Sequence, residues 1–155
     1  MDQKFNIAVV GATGNVGREI ISILEERNFP IENLYLVASS RSKGQQITFK
    51  DEELTIEDLE EFDFSKVQIG LFSPGGSISA KYAPKAAETG CIVIDNTSYF
   101  RMDKNVPLIV PEVNAHVLEE FFQQDYGCQW SHILIDLIHL REWCCPIGLV
   151  AFVPT

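Results

Sequence analysis

Three glycines spaced three residues apart constrain the fold of this chain more than any other feature. They are Gly11, Gly14 and Gly17 in the stretch FNIAVVGATGNVGREIISIL. Residues 5–10 are apolar with little alternation and rich in β-branched side chains, which predicts a strand buried on both faces. The apolar residues within 20–24 fall mostly on one helical face. The sequence therefore predicts a strand, a tight turn and a helix in succession.

This strand–turn–helix unit favours phosphate binding. The N-terminus of a helix has unpaired N–H groups and partial positive charge, which suit a pyrophosphate. Glycine has no Cβ, so the backbone can turn tightly and approach a ligand. The spacing here is G-x-x-G-x-x-G, whereas the usual dinucleotide fingerprint is G-x-G-x-x-G. A purely structural turn therefore stays open as the alternative.

The rest of the pattern alternates strands with helices. Strands are predicted over residues 6–10, 33–38, 46–49, 54–56, 67–72, 91–94 and 108–110. Helices are predicted over 15–27, over 78–89 with Gly90 as its stop, and over 115–122 with Asn114 as its cap. Pro84 would begin or kink the second helix. The alternation predicts an α/β fold, a Rossmann-like doubly wound parallel sheet with right-handed crossovers.

Three polar or glycine-rich turns follow predicted strands, after Val10, after Phe72 and after Ile94. In doubly wound sheets ligands bind beyond the carboxyl ends of the strands. We therefore expect the three turns to meet in one binding site.

Composition narrows the class of protein. The chain has 155 residues, 46% of them hydrophobic, which is enough for one domain with a core. Its formal net charge of −10 gives no basic surface for nucleic acid and would be repelled by an anionic membrane. No apolar run reaches the roughly 18 residues of a membrane helix. The acidic stretch 57–63 is interpreted as a solvated turn or helix.

Cysteine usage and the start of the chain indicate a cytoplasmic protein. The first residues lack the cationic and apolar segments of a secretory leader. The spacing of the cysteines fits no zinc site, and we expect reduced thiols. They are Cys91, Cys128, Cys144 and Cys145.

The residues after the second predicted strand bear on the choice of cofactor. NAD-binding domains often have an acidic residue there to bind the ribose 2′-hydroxyl. This chain instead has Ser39, Ser40, Arg41 and Ser42. A guanidinium with neighbouring hydroxyls fits a 2′-phosphate, which predicts NADP. The alternative is that Arg41 is a solvated loop residue.

Five stretches together resemble the amino-terminal part of the aspartate-semialdehyde dehydrogenases. They are GATGNVG at 11–17, ASSRSKG at 38–44, LFSPGGSIS at 71–79, DNTSYFRM at 95–102 and VPLIVPEVN at 106–114. By resemblance, the NADP site comprises the phosphate-binding turn of Gly11, Thr13, Gly14, Asn15 and Val16, the 2′-phosphate contacts Arg41 and Ser42, and Ser73, Gly75, Gly76 and Asn96. The resemblance places Asn96 near the nicotinamide. It also implies that Arg101 holds phosphate or the substrate acyl-phosphate, with a loop salt bridge as the alternative.

The resemblance also implies a reaction, the NADPH-dependent reductive dephosphorylation of aspartyl phosphate to aspartate semialdehyde. This step belongs to lysine, threonine, methionine and diaminopimelate biosynthesis, and the family is homo-oligomeric. A cysteine thiolate in an N-x-N-C-[ST] motif attacks the acyl group. That motif is absent here. Cys128 lies within a few residues of the expected place but its neighbours do not match, so no catalytic residue is assigned.

Residues 123–155 do not resemble the family. We therefore predict an NADP-binding domain over residues 1–122 and a divergent apolar tail produced by truncation or a frameshift, without the family's second domain. Such a chain would be inactive alone; the alternatives are a non-catalytic NADP-binding module or a non-functional fragment. Residues 132–143 form either a helix burying Ile135, Ile138 and Trp143 or a segment with no settled partner. His132 and His139 are interpreted as surface or half-buried residues, and no metal site is assigned.

Overall fold

The computed structural model describes residues 4–109, 111–114, 116–117 and 132–135. The strands and helices within them are β1 (Phe5–Val10), α1 (Asn15–Glu26), β2 (Ile31–Ala38), β3 (Gln46–Phe49), β4 (Glu52–Asp58), β5 (Ile69–Phe72), α2 (Gly76–Glu88), β6 (Ile92–Asp95), β7 (Leu108–Ile109), α3 (Pro111–Asn114) and β8 (His132–Ile135). Two short 3₁₀ helices, Ser40–Ser42 and Phe64–Lys66, follow β2 and precede β5. In the described part of the chain, no helix is both long and apolar enough to span a bilayer.

The strands form one sheet in the order β3-β4-β2-β1-β5-β6-β8-β7. Neighbouring strands are parallel, except that β3 and β4 form an antiparallel hairpin. The chain moves outward from β1 through β2 and then returns to add β5 on the other side. This reversal creates a crevice between the carboxyl ends of β1 and β5, where doubly wound sheets bind their ligands. The predicted doubly wound parallel sheet is confirmed.

Apolar packing covers both faces of β1. On one face Ile7 and Val9 belong to a core cluster with Ile20 and Leu24 of α1. On the other face Val10 belongs to a cluster that includes side chains of α2. A strand buried on both faces leaves its carboxyl end as the place where the chain can meet a ligand, which is why the turn after β1 matters.

The two helices nearest the crevice largely follow the sequence prediction. α1 begins at Asn15, and α2 begins at Gly76, two residues earlier than expected. Pro84 lies inside α2, so the alternative that the helix begins there is wrong. Gly90 has a φ of +86°, the left-handed conformation that ends helices.

The third helix begins earlier than predicted. α3 starts at Pro111, and Asn114 lies inside it, so the prediction that Asn114 caps a helix is wrong. Proline suits the first helical turn because its missing N–H would have no helical partner there. The Asn114 Nδ2 donates to the carbonyl oxygen of Leu108 at 2.9 Å. Residues 116 and 117 are also helical, and the remainder of the predicted 115–122 helix lies outside the described residues.

A strand replaces the helix considered for the tail. Residues His132–Ile135 pair in parallel with β6 and β7, so a helix beginning at His132 is wrong. A short apolar run with isoleucine at alternate positions suits a strand as well as a helix, and periodicity alone does not separate the two. Residues 136–143, including His139, lie outside the described residues.

The acidic stretch 57–63 is only partly solvated. Glu57 and Asp58 are the last residues of β4, and Asp58 is buried. Glu60, Glu61 and Asp63 are exposed in the turn that follows. The sequence prediction missed the end of β4 because acidic residues dominate this stretch. It also missed that Leu59 and Phe62, which lie among them, are core residues.

Candidate functional site

The turns that follow β1, β5 and β6, here called the first, second and third turns, lie side by side at the carboxyl ends of these strands. Val10 is opposite Phe72 across β1 and β5, and Phe72 is opposite Asp95 across β5 and β6. The bonds continue past the strand ends, since Ser73 N donates to Val10 O and Asn96 N donates to Phe72 O, both at 2.9 Å. The chain therefore leaves all three strands at one level, and the expected meeting of the turns is confirmed.

The first turn is shaped by close backbone contacts. Gly11 has a φ of +88°, and its N–H donates to Val37 O at 2.8 Å. A Cβ on Gly11 would lie 2.8 Å from the backbone of Ser73, and a Cβ on Gly17 would lie 2.2 Å from Gly11 O. These two glycines are required by the turn itself, so the structural alternative accounts for them without a ligand.

The amides at the start of α1, in contrast, are available to bind a ligand. The first intrahelical bond is from Arg18 N to Gly14 O at 3.0 Å. The amides of Asn15 and Val16 donate to no other described residue, as expected for the first helical positions. Both residues are exposed, and Val16 retains 40% of its accessible surface. Thr13, two residues before Asn15, is half-buried. The arrangement can donate two or more hydrogen bonds to an anion.

The second turn leads into α2 through Gly75 and Gly76. Gly75 is the N-cap with a φ of +95°, and a Cβ added there would meet nothing within 4 Å. Its carbonyl oxygen accepts from Ile78 N and Ser79 N. Ser73 is half-buried, and its hydroxyl donates to Val10 O at 3.4 Å. The backbone at Gly75 is thus open to a neighbouring molecule.

The third turn is built around a buried carboxylate. Asp95 accepts hydrogen bonds from Thr97 N at 2.7 Å, from Thr97 Oγ1 at 3.1 Å and from Ser79 Oγ at 3.2 Å. Burial raises the pKa of Asp95, while the bonds from Thr97 and Ser79 and the charge of Arg101 oppose that shift. No role for Asp95 was predicted from the sequence. The sequence does contain a signal, a D-x-T pattern at a strand end. In such a pattern the aspartate side chain typically accepts a hydrogen bond from the backbone N–H two residues later in the turn.

Arg101 lies over the same turn. Its Nη2 donates to Asn96 O at 3.3 Å, and its side chain is exposed. Among the described residues Arg101 takes part in no salt bridge, so the loop salt bridge considered as an alternative is not formed there. The guanidinium therefore retains donors that face solvent beside Asn96.

Arg41 follows β2 in the 3₁₀ helix Ser40–Ser42. Arg41 is exposed and Ser42 half-buried, and Arg41 forms no salt bridge in the part of the chain that the structure describes. β2 itself adjoins the first turn, since Val37 O accepts from both Gly11 N and Ala12 N. The segment of Arg41 therefore leaves the sheet next to the first turn.

Cys91 does not have the character of a nucleophile. It is fully buried just before β6, at the opposite edge of the sheet from the three turns. Burial raises the pKa of its thiol to about 12, whereas nucleophilic cysteines have a lowered pKa. Cys128, Cys144 and Cys145 lie outside the described residues. Within those residues no three His, Cys, Asp or Glu side chains gather as metal ligands would.

Comparisons with known proteins identify relatives of this chain. The profile of the family described as "Semialdehyde dehydrogenase, NAD binding domain" matches residues 6–121. The aspartate-semialdehyde dehydrogenase of Shewanella sp. (strain DB6705) is 54% identical over 141 residues, covering 88% of this chain and 42% of that protein. That of Legionella pneumophila is 58% identical over 111 residues, covering 72% and 32%.

Solved structures share the fold. Aspartate semialdehyde dehydrogenase II from Vibrio cholerae, complexed with ASA, superposes with a TM-score of 0.78 and 47% identity, covering 86% of this chain and 42% of that one. The Candida albicans enzyme with NADP gives a TM-score of 0.71 at 23% identity with the same coverage, which shows the fold alone. The chain spans about 42% of the length of the two Shewanella relatives that it matches. Because the profile covers most of the chain, this protein belongs to the semialdehyde dehydrogenase family, whose NAD-binding domain it carries.

Proposed function

We propose that this chain is the cofactor-binding part of an NADP-dependent aspartate-semialdehyde dehydrogenase. The observation that carries the proposal is the register that ends β1, β5 and β6 at one level, with Val10, Phe72 and Asp95 as neighbours. That register puts the two helix starts and the third turn around one crevice. The curated relatives named above are aspartate-semialdehyde dehydrogenases, which supports this choice among dinucleotide-binding functions.

The start of α1 would hold the pyrophosphate. Its exposed amides at Asn15 and Val16 have no acceptor among the described residues, and the turn from Gly11 through Thr13 to Gly14 brings the backbone to the surface beside them. Amides at a helix start bind phosphate through hydrogen bonds and the helix dipole. Ser73, Gly75 and Gly76 would line the next part of the cofactor, because a Cβ at Gly75 would meet only open space.

Arg41 and Ser42 would select NADP. The guanidinium of Arg41 is exposed and outside any described ion pair, whereas the nearby Lys43 is paired with Glu61. A charge-assisted bond to a 2′-phosphate is stronger than a neutral one. Asp58 at the end of β4 is buried, and its Oδ1 accepts from Glu60 N at 3.0 Å.

The third turn would meet the nicotinamide and the substrate. We propose Asn96 beside the nicotinamide and Arg101 as the group that binds substrate phosphate, since a guanidinium matches phosphate oxygens in a bidentate fashion. In its reduced form, the bound cofactor would supply a hydride. The substrates are aspartyl phosphate, aspartate semialdehyde and phosphate. A homo-oligomeric assembly stays a prediction of the family resemblance, and a cytoplasmic location stays a prediction from the sequence.

A non-catalytic NADP-binding module is the second candidate. The observation that favours it is the state of Cys91, which is buried with a raised pKa, so that no described residue supplies a nucleophilic thiolate. We also propose a domain boundary near residue 122, close to where the profile match ends at 121, although the match to the Shewanella sp. relative covers 88% of the chain and extends past this point. Residues 132–135 nevertheless pair with β6 and β7 of the same sheet. If the tail arose by a frameshift, the coding sequence should contain N-x-N-C-[ST] in a shifted frame.

Calorimetric titration and an enzyme assay test the proposal together. We expect the full chain to bind NADP more tightly than NAD, by roughly tenfold for one charge-assisted contact. A phosphate-dependent assay with aspartate semialdehyde and NADP separates the two candidates, because a binding module gives binding without turnover. Turnover lost in a Cys128→Ala variant would identify the nucleophile. Absence of binding to both dinucleotides would refute the proposal.

A further inference from the structure

One buried carboxylate joins the second turn to the third. Asp95 is the last residue of β6 and Ser79 is the fourth residue of α2, and both side chains are fully buried. The Ser79 hydroxyl donates to Asp95 Oδ1 at 3.2 Å. The N–H of the same serine donates to Gly75 O at 3.0 Å, so this residue is tied to the N-cap of its own helix. Asp95 is therefore linked through Ser79 to the first turn of α2.

The same carboxylate shapes the third turn. Its Oδ1 accepts from Thr97 N at 2.7 Å, and its Oδ2 accepts from Thr97 Oγ1 at 3.1 Å. A buried charge with three donors is held in a defined geometry, because loss of any one bond leaves a polar group unpaired. Asn96 lies between Asp95 and Thr97 and is fixed from outside as well, since its N–H donates to Phe72 O and its carbonyl oxygen accepts from Arg101 Nη2.

The same two segments also lie close together at the surface, since a Cβ built on Gly76 would be 3.6 Å from the Cβ of Tyr99. The start of α2 is thus bonded to the third turn at Asp95 and lies near it at Tyr99. A change in the Asp95 link would shift the amides at the start of α2 relative to Asn96. Arg41 follows β2, which lies on the other side of β1 from β5 and β6.

We infer that Asp95 is a positioning residue, which acts through Ser79 and Thr97 to hold the start of α2 and Asn96 at the separation that the nicotinamide half of the cofactor requires. Asp95 itself is fully buried and would touch no ligand. The inference rests on the proposed function, since it assumes that the dinucleotide lies across the three turns. We therefore expect binding of the adenosine half of the cofactor not to depend on Asp95.

Binding of two different ligands can distinguish a positioning role of Asp95 from a general effect on the stability of the fold. NADPH would extend over all three turns, whereas adenosine 2′,5′-bisphosphate would reach only the first turn and Arg41. The full-length variants to compare are Asp95→Ala, Asp95→Asn and Ser79→Ala. Asp63→Ala is the matched control, because exposed Asp63 makes the same two bonds, to Ser65 N at 3.0 Å and Ser65 Oγ at 2.7 Å, ahead of the opposite end of β5.

We expect Asp95→Ala to weaken NADPH binding about fivefold or more, from the loss of charged hydrogen bonds, and to leave bisphosphate binding within about twofold. Ser79→Ala should weaken NADPH binding in the same direction. Asp95→Asn should recover part of the loss, because its amide keeps one acceptor and can donate to Thr97 Oγ1. Asp63→Ala should change neither affinity.

Circular dichroism establishes which variants are folded before titration, and Ser79→Ala carries the test if Asp95→Ala does not fold. Equal loss of both ligands in the folded variants, or no loss of NADPH binding, would overturn the inference. A wild-type chain that binds neither ligand would instead refute the proposed function. The wild-type titration therefore distinguishes failure of the proposed function from failure of the positioning role.

Discussion

Gly17 lies so close to Gly11 that a Cβ on Gly17 would be 2.2 Å from the Gly11 carbonyl oxygen. This contact joins the first turn of α1 to the end of β1 and lets the helix start point into the crevice. No flexible side chain stands at the contact, so a larger residue must move backbone.

Replacing Gly17 with alanine should therefore destabilise the fold by about 3 kcal/mol or more, the upper range for overpacking a tight site. Urea denaturation monitored by circular dichroism measures the loss. Gly76→Ala is the control, because its added Cβ would be in ordinary contact at 3.6 Å. Equal stability of the two variants would show that the Gly11–Gly17 contact is not a constraint.

Arg41→Gln should reduce the preference for NADP over NAD about tenfold, because one charge-assisted bond to the 2′-phosphate is lost. NAD affinity should change little. Calorimetric titration with both dinucleotides gives the ratio. Arg27→Gln, which removes an exposed positive charge at the far end of α1, controls for net charge and should leave the ratio unchanged. If the ratio of NADP to NAD affinity is unaltered in Arg41→Gln, Arg41 is a solvated loop residue without a role in cofactor choice.

Cys91 should resist alkylation in the folded chain. With its pKa raised to about 12 and its side chain fully buried, only a minute fraction is thiolate at pH 8. Iodoacetamide treatment followed by peptide mass spectrometry should find Cys91 unmodified in buffer and modified in urea. Rapid labelling of Cys91 in buffer would contradict its burial beneath α2 and β5.

The Asp95 carboxyl should make stability fall as pH rises. Its pKa is raised in the folded chain, so the folded state holds this proton more tightly than the unfolded state does. The contribution is fully present below the unfolded pKa of about 3.9 and is lost as pH rises through the folded pKa. Arg101 lies nearby and limits the shift.

The free energy of unfolding of the wild type minus that of Asp95→Asn should therefore decrease as pH is raised from about 4. Urea titrations across pH 4 to about 7 test this at micromolar protein concentration, because the pI is about 4.6 and low net charge promotes association. A difference that increases with pH would mean that the folded state favours the ionised carboxylate.

The sequence predicted the parts of the site that depend on local pattern. An apolar run, a glycine turn and an amphipathic helix identify β1 and α1, and the polar residues after Phe72 and Ile94 identify two more turns. Their convergence followed from a general property of parallel sheets, so no knowledge of long-range contacts was needed.

The missed features depend on contacts between distant segments. Ser79 and Asp95 are 16 residues apart, and only the packing of α2 on β6 brings them together. The strand at His132–Ile135 was missed because four residues are too few to show whether the apolar side chains follow the period of a strand or of a helix. Asn114 was misread as a cap because Pro111 begins the helix three residues earlier.

A titration of the ¹⁵N-labelled full chain with NADP, followed by amide NMR shifts, tests the central claim most directly. We predict that the amides of Asn15, Val16, Gly76 and Asn96 shift together, whereas Gln68 at the opposite edge of the sheet does not. Shifts confined to residues away from the carboxyl ends of β1, β5 and β6, or no shifts at saturating NADP, would contradict a cofactor site built from these three turns.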